Sequence, residues 1–339
     1  MKRYDFVLVG NLIVDEVKRI DAYPQKLHMA TVLDVTRCLG GLVGNCAADL
    51  ARLDPTLRVC ALARIGGDEY GRFALERLAA DSTADLSFVK IGGHTSVTDV
   101  MTVASTGERT FFANRGDGGR LDVEDVPFDE IEGGIFHVGY ALLMEALDAP
   151  DAVYGTRMAR LLHDAREHGF LTSLDVVSET GTRYRTLVPP SLRYTDYFAV
   201  NELEAGGITG IPLRDGDRLL TDNLQPVCRR LKEMGVGRWA VIHMPELSYG
   251  VDEGGCFHIA PSISLPEGWI QGSVGAGDAF TSALLLCAYR GMPLYESLRA
   301  ANAAAAMSLS QPGASEAVVP VAEAMKLYDR FGERKIEIC

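Results

Sequence analysis

The hydrophobic and polar positions form two alternating kinds of segment along most of the chain. Short apolar runs indicate strands buried on both faces, and amphipathic stretches of roughly 10 to 18 residues between them indicate helices. The predicted strands are 4–9, 58–63, 134–138, 171–176, 197–200 and 238–243, and the predicted helices are 45–53, 69–80, 152–168, 219–234, 281–289 and 294–309. This alternation predicts an α/β fold with right-handed crossovers, in which a mostly parallel sheet carries helices on both faces.

Two segments interrupt the alternation and contain strand-like pieces without a helix. Residues 14–35 hold several short pieces, and residues 98–114 have the pattern of a β-hairpin, 100–104 and 110–114. Strands from two distant points of the chain can pair into a second sheet, so we predict a small β-sheet lid. The predicted division is a lid of 14–36 and 97–115 over a core domain of 1–13, 37–96 and 116–339. The alternative is that both segments form a ragged edge of the main sheet.

The composition narrows the classes of partner. The 339 residues include 33 Lys and Arg against 46 Asp and Glu, a formal net charge of −13. Such a surface repels phosphate backbones and anionic lipid, and no basic cluster offsets it, so we expect neither nucleic acid nor a membrane as partner. Seven scattered cysteines without a C-x-x-C pair are typical of reduced thiols. With no apolar run long enough for an export signal or a membrane span, we expect a cytoplasmic protein.

The strongest chemical motif is the glycine-rich segment 272–280, G-S-V-G-A-G-D-A-F, which precedes the predicted helix 281–289. Backbone N–H groups at such a turn converge on one point, and the helix dipole adds positive charge, so the turn can bind an anion without Lys or Arg. Asp278 lies in the first helical turn, where a carboxylate either satisfies the helix start or acts on a ligand. The segment lacks the Gly-Lys-Ser/Thr of a Walker A loop, the third glycine of a dinucleotide fingerprint and the first glycine of G-x-S-x-G.

At this motif the chain resembles the ribokinase-like, or PfkB, family of carbohydrate kinases. Residues 275–278, G-A-G-D, are similar to the second half of the C-terminal signature D-T-x-G-A-G-D, and residues 40–45, G-G-L-V-G-N, are similar to the N-terminal G-G-x-x-x-N. Weaker similarities follow in the expected order at 10–15, 67–71, 107–111, 201–204, 301–304 and 313–314. The resemblance spans about residue 4 to residue 316, and the order of the motifs carries it.

The resemblance implies ATP-dependent phosphorylation of a hydroxyl group on a small sugar or sugar-like acceptor, including a nucleoside. Asp278 would act as general base, and the turn formed by Gly275, Ala276 and Gly277 would be the anion hole. The acceptor would contact Asp15, Gly40, Gly41 and Asn45. The nucleotide side would use Asn201, Glu204 and Asn302, with Mg²⁺ held through Asn201, Glu204 and waters rather than by direct ligands. The family also implies a homodimer formed through the lid strands.

Each of these residue types also has an ordinary structural role. Asp15 could be a turn residue, Asn45 a helix cap and Glu204 part of a helix surface. In the lid hairpin we interpret Arg109 and Phe111 as lid structure, and we interpret the histidines as packing or surface residues: His137, His163, His168 and His243.

Departures from the family pattern keep a second hypothesis open. Gly272 and Ser273 replace the usual Asp and Thr, so a carboxylate near the family's monovalent-cation site is absent and the use of such a cation stays an open question. Residues 244–250 lack the common G-x-x-G, and residues 175–179 lack the Asn and Arg of D-x-N-x-R. The alternative is a non-catalytic sugar-binding or regulatory protein on a kinase scaffold. An NAD-dependent oxidoreductase is disfavoured, because no G-x-G-x-x-G follows the first strand.

Overall fold

The computed structural model describes residues 1–179, 181–311 and 313–336. An eight-stranded sheet forms its centre, with the strand order Phe257–Pro261, Leu247–Val251, Trp239–His243, Tyr197–Asn201, Leu171–Val176, Ile131–Ala141, Lys2–Gly10, Val59–Leu62. The last six strands of this order run parallel, and the first two join them as an antiparallel hairpin. The predicted fold, a mostly parallel sheet within an α/β architecture, is confirmed.

Helices cover both faces of the central sheet and enclose two apolar cores. Alternate residues of the first strand point to opposite sides, with Val7 and Val9 in one core and Phe6 and Leu8 in the other. One face packs against Arg157–Glu167, Tyr184–Leu187, Pro189–Leu192, Glu202–Thr209 and Leu224–Glu233. The other packs against Gly41–Leu53, Glu69–Asp81, Ala276–Tyr289 and Leu294–Ser308, beside a smaller cluster with Val321–Ala324 and Lys326–Phe331.

A separate four-stranded sheet has the order Val32–Gly40, Ile13–Ile20, Ser96–Val103, Arg109–Asn114. Its two central strands pair in parallel from Ile13 and Ser96 to Ile20 and Val103, which joins segments about 80 residues apart in the chain. The outer pairs are antiparallel. These segments therefore form a sheet of their own rather than an edge of the main sheet. The proposed division of the chain into a core domain and a lid stays a prediction.

Two helices begin later than the sequence pattern predicts. The helix expected from residue 152 begins at Arg157, because the Asp151 carboxylate first accepts two backbone N–H groups in a turn and Thr156 then caps the helix. The helix expected from residue 219 begins at Leu224, after a short hairpin. The short strand pairs are Arg214–Asp215 with Arg218–Leu219, Pro150–Asp151 with Gly155–Thr156, and Arg64–Ile65 with Lys90–Ile91.

The cysteines that the structure describes are all unpaired thiols. Cys46, Cys60, Cys228 and Cys287 are buried, and Cys256 is exposed. Burial raises the pKa of the Cys60 thiol to about 12. Cys339 lies outside the described residues. Among the helices of residues 1–179, 181–311 and 313–336, none has the length and apolar character needed to cross a bilayer.

Candidate active site

Five neighbouring strands of the central sheet place polar or aromatic side chains at one edge. These residues lie at or just beyond the carboxyl ends of the strands: Asn11, Tyr140, Asp175, Asn201 and His243. Parallel strands end together at the same edge, and the crevice beyond that edge is where open α/β sheets bind ligands. The geometry therefore locates a candidate site at this edge.

The glycine-rich turn begins the helix Ala276–Tyr289 at this edge. Gly275 has φ +78°, and a Cβ atom built there would lie 2.5 Å from Cβ and 2.6 Å from the carbonyl oxygen of Ala314. Only glycine combines this backbone conformation with so close an approach. The Ala279 N–H donates to the Gly275 carbonyl at 2.8 Å as the first bond of the helix, so the three preceding amides have no intrahelical acceptor. The turn therefore has the unpaired amides that an anion-binding site needs, and anion binding there stays a prediction.

Asp278 is buried, and its two carboxylate oxygens accept hydrogen bonds from different elements. Asn45 Nδ2 donates to Oδ2 at 2.8 Å, and the Tyr140 hydroxyl donates to Oδ1 at 2.8 Å. Burial raises the pKa of Asp278, and these two hydrogen bonds oppose the rise. Neither donor belongs to the helix Ala276–Tyr289, so the carboxylate is held by the first long helix and the central sheet.

Two further carboxyl groups lie in the same buried region. Burial, followed by the charge of Asp278, raises the pKa of Asp175 well above its ordinary value. The pKa of Asp49 is also raised, first by burial, and within the described part of the chain neither of its side-chain oxygens has a hydrogen-bond partner. Ionised carboxylates are costly in such surroundings unless they are compensated, so hydrogen-bond donors around Asp278 have a large effect on its charge state.

Asn201 and Glu204 form a capping box at the start of the helix Glu202–Thr209. The Asn201 side chain accepts from the Glu204 N–H at 2.9 Å, and Glu204 Oε2 accepts from the Asn201 N–H at 3.0 Å. The Ser178 hydroxyl donates to Glu204 Oε1 at 2.6 Å. Burial raises the pKa of Glu204 to about 7. Glu204 is therefore an internal, hydrogen-bonded carboxyl rather than part of a helix surface.

Two cavities meet at the glycine-rich turn. One, of about 580 Å³, is lined by residues that include Asn201, His243, Ala276, Gly277, Phe280 and Asn302. The His243 ring lies 4.8 Å from the Phe280 ring, and burial lowers the His243 pKa to about 4, so this wall is uncharged at neutral pH. The other cavity, of about 830 Å³, lies between Tyr140, residues 272–275 of the turn, and the lid residues Arg109 and Phe111. The turn can thus contact ligands in both.

The G-G-x-x-x-N segment brings the lid and the first long helix together. A Cβ atom at Gly40 would lie 2.4 Å from Oδ2 of Asp15, and one at Gly41, where φ is +80°, would lie 2.6 Å from the Asn11 carbonyl oxygen. Burial raises the pKa of Asp15 to about 6. Asp15 lies within a strand and Asn45 within the helix Gly41–Leu53, so neither the turn nor the helix-cap alternative describes them.

Asn302 lines the smaller cavity, but its amide group is engaged within the protein. Asn302 Nδ2 donates to the carbonyl oxygens of Ala260 and Pro261 at 3.1 and 3.3 Å. These hydrogen bonds attach Asn302 to the strand Phe257–Pro261 at the edge of the sheet, which is its clearest role in the structure. Sequence reasoning did not identify Tyr140 and Ser178 as site residues, since no local motif marks them and only the strand order brings them here.

The family model for pfkB family carbohydrate kinases matches residues 8–321, and the chain therefore belongs to this family of carbohydrate kinases. The expected class of enzyme is confirmed. Among curated relatives, the chain is 23% identical to fructokinase-1 of Zea mays over 344 residues, covering 96% of this chain and 97% of the relative. It is also 23% identical to 5-dehydro-2-deoxygluconokinase of Clostridium perfringens over 345 residues, covering 98% and 96%.

Solved structures agree with the fold. Ribokinase of Thermotoga maritima superposes with a TM-score of 0.76 at 15% identity, covering 96% of this chain and 99% of that one. Arabidopsis thaliana ribokinase complexed with ribose and ATP gives 0.75 at 22% identity, with coverage of 96% and 99%. A putative ribokinase II of E. coli in complex with ATP and Mg²⁺ gives 0.73 at 18% identity, again with 96% and 99%.

Proposed function

We propose that the chain transfers the γ-phosphoryl group of ATP to a hydroxyl group of a small sugar or sugar-like acceptor. The observation that carries the proposal is the position of Asp278 in the first turn of the helix that begins with the unbonded amides, next to turn residues that line both cavities. Asp278 accepts the hydroxyl proton as the acceptor oxygen bonds to phosphorus and the bond to ADP breaks. The turn at Gly275, Ala276 and Gly277 stabilises the charge on the transferring group.

The smaller cavity is the proposed ATP site. Its volume of about 580 Å³ and its uncharged wall at His243 and Phe280 suit a nucleoside. The solved relatives with bound ATP, and with ATP and Mg²⁺, support the same donor here. Because the chain carries a net charge of −13, we expect backbone amides and a divalent cation, together with Arg334 in the cavity wall, to offset the charge of the triphosphate.

The side chains present fit Mg²⁺ bound mainly by phosphate oxygens and water. Among the residues described, no group of three or more His, Cys, Asp or Glu is arranged to hold a metal ion. Mg²⁺ commonly keeps several waters and uses few protein ligands. Asn201 lines the smaller cavity, and Glu204 lies behind it, hydrogen-bonded to the Asn201 N–H; these two residues are the proposed contacts for those waters. When bound, Mg²⁺ would neutralise charge on the phosphates.

The larger cavity, of about 830 Å³, lies between the glycine-rich turn and the lid residues Arg109 and Phe111, and it is the proposed acceptor site. Asp15, Gly40, Gly41 and Asn45 stay the proposed acceptor contacts; they do not line this cavity but lie where the lid meets the first long helix. Asp15 and the backbone at Gly41 offer hydrogen-bonding groups that suit sugar hydroxyls. The names of the relatives, fructokinase and 5-dehydro-2-deoxygluconokinase, support a sugar or sugar acid as the acceptor.

A homodimer through the lid strands is part of the proposal. The lid sheet exposes large apolar side chains, with Val35 at 53% exposure and Phe111 at 58%. Val35 and Phe111 lie on the two outer strands of the lid sheet, and the lid of a second copy would cover apolar side chains of this kind. Light scattering after size-exclusion chromatography should give twice the chain mass of 36.7 kDa, and a mass near that of one chain would contradict the dimer.

The test of the proposed reaction is ADP release over a panel of sugars, sugar acids, sugar phosphates and nucleosides. At least one acceptor should stimulate ADP release, and Asp278→Asn should lower kcat by about 10²- to 10⁴-fold, the range for loss of a general base. Unchanged turnover in Asp278→Asn would remove Asp278 as the base. Calorimetry that shows sugar binding without ATP binding or turnover would favour the alternative, a non-catalytic sugar-binding or regulatory protein.

A further inference from the structure

The Tyr140 side chain connects the catalytic turn to the acceptor cavity. Its hydroxyl donates to Oδ1 of Asp278 at 2.8 Å, and its side chain lines the larger cavity beside Gly275. Burial, together with the charge of Asp278, raises the pKa of Tyr140 well above its usual 10, so the hydroxyl keeps its proton and acts as a donor.

The backbone of Tyr140 is also fixed. Its N–H donates to Oδ1 of Asn11 at 2.9 Å, and the Asn11 N–H donates to the Gly139 carbonyl at 3.2 Å. The Asn11 carbonyl in turn accepts from the Val43 N–H at 3.0 Å. The element that carries Tyr140 is thus tied to the helix that carries Asn45, which donates to the other oxygen of Asp278.

We propose that Tyr140 is a positioning residue for Asp278: its hydroxyl holds Oδ1, as Asn45 holds Oδ2, so that the carboxylate keeps one orientation at the start of the helix. The proposal rests on the proposed role of Asp278 as general base. A carboxylate group with a donor on each oxygen cannot rotate freely, and it stays ionised in buried surroundings at the cost of some basicity.

The groups around Asp278 explain why this hydrogen bond matters. From the helix Gly41–Leu53, Asn45 donates to Asp278, Cys46 Sγ lies 4.0 Å from Oδ1, and Asp49 adds a like charge when ionised. From the strand Leu171–Val176, Asp175 is a second buried carboxyl. Neither Cys46 nor the two carboxyl groups bring a positive charge, so among the described side chains the hydrogen bonds from Asn45 and Tyr140 are those that lower the pKa of Asp278 against the effect of burial.

The test is the pH profile of kcat/KM for the Tyr140→Phe variant, which keeps the ring and removes the hydroxyl. A hydrogen bond to an ionised group changes the protonation equilibrium by roughly tenfold or more, so the acid limb should move up by about one to two pH units. On the acid limb, activity should fall about tenfold relative to wild type at the same pH and recover toward the wild-type value as the pH rises. The KM for ATP should not change.

The matched control is Tyr4→Phe, because the Tyr4 hydroxyl donates to Asp85 at 2.6 Å in another part of the chain. This control removes the same kind of hydrogen bond and should leave the pH profile unchanged. An acid limb that stays in place in Tyr140→Phe would overturn the proposal. A loss in Tyr140→Phe that matches Asp278→Asn at every pH would also overturn it, because the hydroxyl would then carry the proton itself.

A second measurement separates this proposal from the proposed function. The carboxyl ¹³C signal of Asp278, assigned by its absence in Asp278→Asn, can be titrated without any substrate. Its midpoint should rise by about one to two pH units in Tyr140→Phe. If no acceptor is phosphorylated by the wild-type chain, the kinase proposal fails, yet this titration still decides the role of Tyr140. An unchanged midpoint would refute that role.

Discussion

Replacement of Gly275 by alanine tests whether the backbone of the glycine-rich turn performs the chemistry. An alanine at this position would have to adopt φ +78°, and its methyl group would lie 2.6 Å from the carbonyl oxygen of Ala314. The left-handed conformation costs an L-residue about 1 to 2 kcal/mol, and overpacking against backbone costs about 1 to 3 kcal/mol more. We expect Gly275→Ala to lower the free energy of unfolding by about 2 to 5 kcal/mol.

The backbone of the turn must move to relieve this contact, and the movement should displace the amides that begin the helix. Removal of one donor from an anion hole lowers kcat by about 10²- to 10³-fold, and we expect a loss of this size in Gly275→Ala. The assays are urea unfolding and ADP release at saturating ATP. Since the turn would bind the transition state more than the acceptor, kcat should fall more than the acceptor KM rises.

The matched control is Gly291→Ala, just beyond the other end of the same helix. Gly291 has φ +71°, and a Cβ atom there meets no atom within 4 Å. This control should cost only the conformational part, about 1 to 2 kcal/mol, and should keep the wild-type kcat. If Gly275→Ala behaved like Gly291→Ala in both assays, the reasoning about the anion-binding turn would be refuted.

Three further variants test the remaining site assignments. In the wild-type enzyme the acceptor KM should rise as the pH falls through about 6, because the Asp15 carboxylate becomes protonated there. Asp15→Asn should raise the acceptor KM about 10- to 100-fold and remove most of its pH dependence. If the acceptor KM of the variant kept the wild-type pH dependence, Asp15 would be excluded as an acceptor contact. Glu204→Gln should raise the Mg²⁺ concentration for half-maximal rate about 10- to 100-fold; below about pH 7 the wild-type requirement should rise as well, because Glu204 takes up a proton there. Asn302→Ala should lower the free energy of unfolding by about 1 to 3 kcal/mol through its lost bonds to strand carbonyls, while a higher KM for ATP without lost stability would assign Asn302 to the nucleotide instead.

The spacing of apolar and polar residues predicted those strands and helices in which apolar residues recur with a regular period. It did not predict the helix Glu202–Thr209, whose sequence E-L-E-A-G-G-I-T contains two glycines and little periodicity. It also did not predict the strands Leu247–Val251 and Phe257–Pro261, which form an antiparallel edge whose outer strand is only partly buried and ends in proline. These elements depend on the sheet they join, so their own residues carry a weak signal.

Local sequence features were enough to predict the α/β class, the glycine-rich turn before the helix Ala276–Tyr289 and the presence of Asp278 beside it. These features depend on short-range causes: apolar periodicity, the conformational freedom of glycine and the unpaired amides of a helix start. The surroundings of the Asp278 carboxylate, in contrast, depend on the tertiary structure. Asn45 and Tyr140 lie 233 and 138 positions away from it in the chain. Side chains so distant meet only because the order of strands in the sheet and the packing of helices on it bring them together, and that geometry sets the burial and the hydrogen bonds that control the charge of Asp278.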